Sequence, residues 1–135
     1  MYMNHKELYE LAVSARERAY TPYSHFTVGA ALLTTSGKVY LGCNIENAAY
    51  GAVNCAERTA FFTAICEGER EFSAIAVAGG REGEIGEICA PCGICRQVMA
   101  EFCAPDFEVV LGAEDGVKVY RLDELLPLSF TKDNL

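Results

Sequence analysis

"FSAIAVAGG", residues 72–80, is the stretch on which the fold turns. It carries no charge and no polar alternation, so it reads as a strand buried on both faces. Such a strand needs helices above and below it, and helical patterns flank it on either side. Upstream, residues 55–67 bring Ala60, Phe61, Ala64 and Ile65 to one face. Downstream, "CGICRQVMAEFC" (92–103) reads as a second inner helix, with Pro91 at its entrance. Beyond it, "FEVVLG" (107–112) and "VKVY" (117–120) are strands, and "RLDELLP" (121–127) is a short closing helix. In the N-terminal half, residues 4–20 form an amphipathic helix on Leu8, Leu11, Ala12, Ala15 and Ala19, opened by an Asn4–Glu7 capping box. "TPYS" (21–24) stops it, and "FTVGAALLTT" (26–35) and "KVYLGCNI" (38–45) form a hairpin around Ser36-Gly37. This order predicts an α/β protein: a three-layer α/β/α sandwich around a mixed sheet of about five strands. Residues 1–135 are read as a single domain, without internal repeat or linker.

Composition narrows the class of function. The apolar fraction is 51%, which favours a packed core over disorder. Nineteen acidic residues against eleven basic ones give a net charge of −8. Nucleic-acid binders usually carry a basic patch, and none is visible, so a small uncharged ligand suits the chain better than a polyanion. The acidic runs "EGERE" (67–71) and "EGEIGE" (82–87) read as solvated surface. No apolar run approaches the roughly 18 residues of a membrane span. The N-terminal run lacks the apolar stretch of a signal peptide, which predicts a cytoplasmic protein.

Seven cysteines, an odd number, argue against a disulfide framework. Cys55 stands at the start of one inner helix, and Cys92 and Cys95 stand at the start of the other. If those helix starts converge, their free N–H groups and partial positive charge favour thiolates. Three thiolates make a tetrahedral Zn²⁺ site with one position open, the arrangement of a catalytic centre. "CAPCGIC" (89–95) contains two overlapping Cys-x-x-Cys pairs, and the helix start after Pro91 selects Cys92–Cys95 over Cys89–Cys92. Cys43, Cys66 and Cys103 are expected in the core. His5 and His25 lack metal spacing. Glu57, two residues after Cys55, has two readings. It caps the helix together with Asn54, or it serves as a proton carrier beside a metal-bound water.

A cysteine, a glutamate two residues on, and a later Pro-Cys-x-x-Cys together resemble the signature of zinc-dependent nucleobase deaminases. Nearly the whole chain resembles the small, three-cysteine, homotetrameric cytidine deaminases. The blocks "YTPYSHFTVGAALLTTSGKVYLGCNIENAAYG" (20–51), "NCAERTAFF" (54–62), "PCGICRQVMAEF" (91–102) and "ELLPLSF" (124–130) follow in the family's order. The resemblance implies one Zn²⁺ per chain on Cys55, Cys92 and Cys95, with Glu57 as proton shuttle. It implies that Asn44 and Glu46 hold the ribose hydroxyls and that Phe26 packs against the nucleoside. The main chain at Ala56 would meet the base, Tyr50 would belong to the same wall, and Arg58 would offset thiolate charge. Phe130 would reach into a neighbouring subunit's pocket, so that active sites are shared within a homotetramer.

The implied reaction is the hydrolysis of cytidine or deoxycytidine to uridine or deoxyuridine and ammonia, in pyrimidine salvage. A zinc-held hydroxide attacks C4, and Glu57 protonates N3 and then the departing amine. The expected partner is a nucleoside, with neither nucleic acid nor membrane. A deaminase of a cytosine-containing antibiotic or of an RNA base would share the zinc motif, although the acidic surface opposes RNA. A non-catalytic zinc-stabilised interaction domain would need four protein ligands and no Glu57. Phe130 and Phe26 have a blander reading as core aromatics, Asn44 as a turn residue and Glu46 as a solvated one. The acidic stretch 80–90 is the least standard part of the chain.

Overall fold

The computed structural model describes residues 3–84, 86, 88–113 and 116–135. Helix α1 (His5–Ala15) opens on the capping box expected of it. Asn4 Oδ1 accepts the Glu7 N–H at 2.8 Å, and Glu7 Oε1 accepts the Asn4 N–H at 3.1 Å. The helix ends earlier than residue 20, tightening into a 3₁₀ turn over Arg16–Arg18. It does so where Arg16 turns inward. The buried guanidinium donates to Thr27 O (3.2 Å), Thr27 Oγ1 (3.1 Å) and Arg81 O (3.1 Å), and also to Glu84 O.

Strands β1 (Phe26–Thr34) and β2 (Val39–Cys43) form the hairpin, and Gly37 supplies the positive φ of its turn. Then follow α2 (Ala56–Cys66), β3 (Phe72–Arg81), α3 (Gly93–Phe102), β4 (Glu108–Ala113), β5 (Gly116–Arg121) and α4 (Leu122–Leu125). The sheet order is β2-β1-β3-β4-β5. Only β3 and β4 are parallel, joined by the α3 crossover; the other neighbours are antiparallel. This is the mixed five-stranded sheet that the sequence order predicts.

Strand β3 lies at the centre, and its residues 74–80 are all buried. Ala74, Ala76 and Ala78 face α1, against Leu8, Ala12, Ala31 and Val110. Ile75 and Val77 face the other layer, with Leu32, Ala60, Phe61, Met99 and Leu111. Alanines on one face admit a close helix, while the larger residues on the other meet two helices. Phe61 of α2 centres that thicker layer, 5.2 Å from the Phe72 ring in a T-shaped contact and 6.3 Å from the stacked Phe102. Cys103 packs at the edge of this core. Cys43 is half-buried, and Cys66, expected inside, is exposed on the last turn of α2. The inward face of Ala60, Phe61 and Ala64 leaves Cys66 on the far side of the helix, one turn from the exposed Phe62. Within "EGEIGE", Glu82 and Glu84 are exposed as expected; Ile85 and Glu87 lie outside the described residues.

Several chain segments reach one edge of the sheet. Phe26, at the start of β1, pairs with Arg81 at the end of β3. Antiparallel β2 ends at the same edge, where Cys43 pairs with Gly29, and residues 44–46 follow it. Both α2 and α3 begin there, because α2 feeds β3 through residues 67–71 and α3 leaves β3 through residues 82–92. Gly42 sets how closely α2 lies on β2: a Cβ at this position would sit 2.3 Å from Ala56 O and 2.6 Å from Ala60 N. Gly42→Ala should therefore push the start of α2 off the sheet. The overpacking should lower stability by roughly 1–3 kcal/mol. Thermal unfolding checks this, and an unchanged melting temperature would show that α2 does not depend on this contact.

Candidate active site

Cys55 is the N-cap of α2 and Cys92 the N-cap of α3, and neither makes a side-chain capping hydrogen bond. The two helix starts converge, as the sequence predicts. Cys55 Sγ lies 3.9 Å from Cys92 Sγ, and Cys92 Sγ lies 3.5 Å from Cys95 Sγ. All three sulfur atoms fall within 4.8 Å of one another. Tetrahedral Zn–S bonds of about 2.3 Å separate sulfur atoms by about 3.8 Å. The spacing therefore fits a tetrahedral divalent cation. Among the described residues the cluster has three members, with no fourth histidine, cysteine or carboxylate.

The neighbouring Cys95 thiol, and then the Arg58 guanidinium, favour the thiolate of Cys55 and hold it below the ordinary thiol range. Cys95, beside it, is correspondingly raised. Arg58 Nη2 stands 3.1 Å from Cys55 Sγ. Arg58 Nε is buried without a partner, the only such side-chain nitrogen or oxygen among the described residues. Cys89 stays outside the cluster. Its sulfur rests against Gly79, where an added Cβ would come within 2.5 Å of it, and burial pushes its thiol up to about 11.

Glu57 is 4% exposed on the first turn of α2. It does not form a capping box with Asn54, because the cap is Cys55 and the Asn54 amide is turned to Thr59 Oγ1 at 3.1 Å. Burial raises the Glu57 carboxyl to about 7. Its own backbone N–H opposes the rise, and the charge of Cys55 adds to it. A buried acid beside a sulfur cluster has a perturbed proton affinity of the kind found at functional sites.

Beside Cys55 opens a cavity of about 270 Å³, with Tyr23, Asn44, Glu46, Tyr50 and Asn54 in its walls. Its floor is strand-like: Ile45 exchanges both backbone hydrogen bonds with Asn54 (2.9 and 3.0 Å), and Glu46 N donates to Tyr20 O at 2.9 Å. The Asn44 side chain extends this order. Its Oδ1 accepts from Val28 N at 2.9 Å, and its Nδ2 donates to Phe26 O at 3.0 Å. Glu46 accepts from Tyr23 N and Ser24 N, and a hydrogen bond from the Ser24 hydroxyl holds its carboxyl below the ordinary value. Tyr50 is 83% exposed, and the Phe26 ring lies over Gly79. Ala56 is fully buried, with its carbonyl against Gly42. Phe130 is 63% exposed, so it is not in its own chain's core; Gln97 Nε2 donates to its carbonyl at 2.8 Å and ties the tail to α3.

Sequence reasoning missed Arg16 and Ser24. Charged residues of an amphipathic helix read as solvent-facing, and a serine in a Pro-containing turn reads as turn chemistry.

The family model described as the cytidine and deoxycytidylate deaminase zinc-binding region matches residues 3–112. A cytidine deaminase of Sporosarcina psychrophila is 48% identical over 134 residues, covering 98% of this chain and 96% of that protein. One of Halalkalibacterium halodurans is 49% identical over 134 residues, covering 98% of each. The crystal structure of cytidine deaminase from Burkholderia pseudomallei superposes with a TM-score of 0.86 at 55% identity, covering 95% of this chain and all of that one. The chain belongs to the cytidine and deoxycytidylate deaminase family.

The spacing of the thiols makes a direct prediction. Cys55→Ala, Cys92→Ala or Cys95→Ala should abolish zinc binding and lower stability, because metal binding and folding are linked. Cys89→Ser should keep about one zinc per chain by elemental analysis. Metal loss in Cys89→Ser together with retention in Cys95→Ala would move the site to the other pair.

Proposed function

We propose that the protein hydrolyses cytidine and deoxycytidine to uridine and deoxyuridine with release of ammonia. It would do so as a cytoplasmic single-domain enzyme of pyrimidine salvage with one Zn²⁺ per chain. One observation carries this reading: a three-thiol cluster with a buried glutamate beside it borders a cavity of nucleoside dimensions. A closed structural zinc site would call for a fourth protein ligand, and the described residues bring none to the cluster. No helix among them is long and apolar enough to cross a membrane.

Cys55, Cys92 and Cys95 would hold the zinc, which when bound lowers the pKa of a water in its open position toward neutrality. Three thiolates on a dication leave an excess negative charge, and Arg58, already 3.1 Å from Cys55 Sγ, offsets it. Glu57 has two protons to move. It would take a proton from the water that attacks C4 and pass it to N3 of the cytosine ring, which makes C4 electrophilic. It would then take the remaining hydroxyl proton and deliver it to the exocyclic nitrogen, which leaves as ammonia while the C4 carbonyl forms. Its burial keeps bulk water from competing for those protons. Asn44 and Glu46 would hold the ribose hydroxyls, Phe26 and Tyr50 would flank the nucleoside, and the backbone at Ala56 would meet the base. Fixed side chains that hold the sugar turn binding energy into orientation of C4.

The wild-type protein should release one ammonia per uridine formed from cytidine. Glu57→Gln should keep its zinc while turnover falls by roughly 10²–10⁴-fold, the range for removal of a general acid–base. Near-normal turnover in this variant would return Glu57 to a structural role.

Phe130 supports a further part of the reading, a homotetramer with shared sites. Its exposed ring follows Leu128, which is fully exposed at a positive φ of 52°, a conformation unfavourable for a bulky residue. A neighbouring subunit would cover both side chains. Phe130→Ala should retain zinc but raise KM for cytidine, and Glu57→Ala should be nearly inert. Co-expression of the two should restore wild-type KM in the pockets that combine Glu57 of one chain with Phe130 of another. Mixed oligomers that show only the KM of Phe130→Ala would place Phe130 in its own chain's site.

A further inference from the structure

The segment Tyr23–Phe26 runs from the wall of the cavity that carries Tyr23 and Glu46 to the start of β1, and the Ser24 side chain joins the two. The Ser24 hydroxyl donates to Glu46 Oε2 in a short hydrogen bond. Ser24 Oγ in turn accepts the Phe26 N–H at 3.1 Å. Ser24 thus uses its one proton on Glu46 and one lone pair on Phe26. The other Glu46 oxygen, Oε1, accepts Tyr23 N at 3.0 Å and Ser24 N at 3.1 Å. On the far side of the Phe26 peptide, Asn44 Nδ2 donates to Phe26 O at 3.0 Å. Glu46, Ser24, Phe26 and Asn44 therefore form one continuous hydrogen-bonded chain along the cavity rim.

Glutamate is costly to hold still, because its three side-chain torsions lose their freedom when it is fixed. Glu46 has no cation within ion-pairing distance among the described residues. Its orientation comes from Ser24 and the two backbone N–H groups. Oε2, bound only by the Ser24 hydroxyl, keeps a lone pair for an incoming donor. We propose that Ser24 is a positioning residue for sugar recognition: its hydroxyl aims the Glu46 carboxylate at a ribose hydroxyl. This rests on the reading of Glu46 as a ribose-binding residue. Ser24 itself touches no reacting atom.

The test compares cytidine with 2′,3′-dideoxycytidine, which keeps the base but lacks the hydroxyls. The wild-type enzyme should favour cytidine in kcat/KM. Ser24→Ala should lower kcat/KM for cytidine on the order of 10-fold, mainly through KM, as expected when a hydrogen bond to a charged group is lost. The same variant should barely affect the dideoxy substrate, so the preference shrinks. Ser24→Thr, which keeps the hydroxyl at an exposed position, should behave as wild type. Ser24→Val, equal to threonine in shape, should behave as Ser24→Ala, which separates the hydroxyl from any effect on folding. Zinc content should be unchanged throughout, and product binding, uridine against its dideoxy counterpart, should follow the same order. Equal losses on both substrates, or equal behaviour of the threonine and valine variants, would overturn the role of Ser24 alone. A wild-type enzyme without preference for the hydroxyls would remove the ribose assignment of Glu46, and the inference with it.

Discussion

Two helices begin over the same end of strand β3, and their first turns are close enough for three sulfur atoms to lie within 4.8 Å. This convergence is the constraint on which the rest of the site depends. It requires β3 to be central and covered on both faces, α2 to lie flat on β2, and the chain to return from β3 directly into α3. Gly42 meets the second requirement by having no side chain where the backbone of α2 passes. The third is met by the α3 crossover that joins parallel neighbours β3 and β4. Helix N-termini carry partial positive charge and unpaired N–H groups, so the cluster sits where anionic sulfur is least unfavourable. Arg58 adds a full positive charge at Cys55.

Around this centre the side chains divide the work by burial. Glu57 is enclosed, and its proton affinity is raised by the loss of water. Glu46, on the open rim, is lowered by hydrogen bonds. Two carboxylates thus receive opposite shifts from opposite environments. The rim is built from backbone order. Ile45 is clamped by Asn54 and flanked by Tyr20, and Asn44 continues the β1 ladder with its side chain. Arg16 works on the opposite side, tying β1, the end of β3 and the loop that leads toward Cys92 through their carbonyl groups. A guanidinium suits this task because its donors form a rigid planar fork.

Much of this was legible in the residues. The period-free apolar run at 72–80 gave the central strand, because a strand covered on both faces cannot alternate. Asn4 and Glu7 gave the start of α1, because capping is a local interaction between neighbours in sequence. Spacing and the helix start after Pro91 favoured Cys92–Cys95 over Cys89–Cys92, and the sulfur positions agree with that choice. Local readings failed where packing decided which partner a side chain meets. Asn54 and Glu57 have the spacing of a capping pair, yet Asn54 turns to Thr59 and Glu57 is buried. Cys66 has the chemistry of a core residue but lies on the outer face of α2, where position on the helix outweighs residue type.

The sequence by itself determined the order of elements, the central strand and the choice of Cys92–Cys95 within residues 89–95. Each of these is written in periodicity, in turn residues, or in spacing along a few neighbouring positions. Only the tertiary structure decided that Cys55 and Cys92, 37 residues apart, stand 3.9 Å from each other. It alone decided that Arg16 is buried, and that Ser24 joins Glu46 to Phe26. The physical reason is the same in each case. Burial and hydrogen-bond partnership are properties of the space around a side chain, and that space is filled by segments whose positions are fixed only when the sheet and its helices have packed.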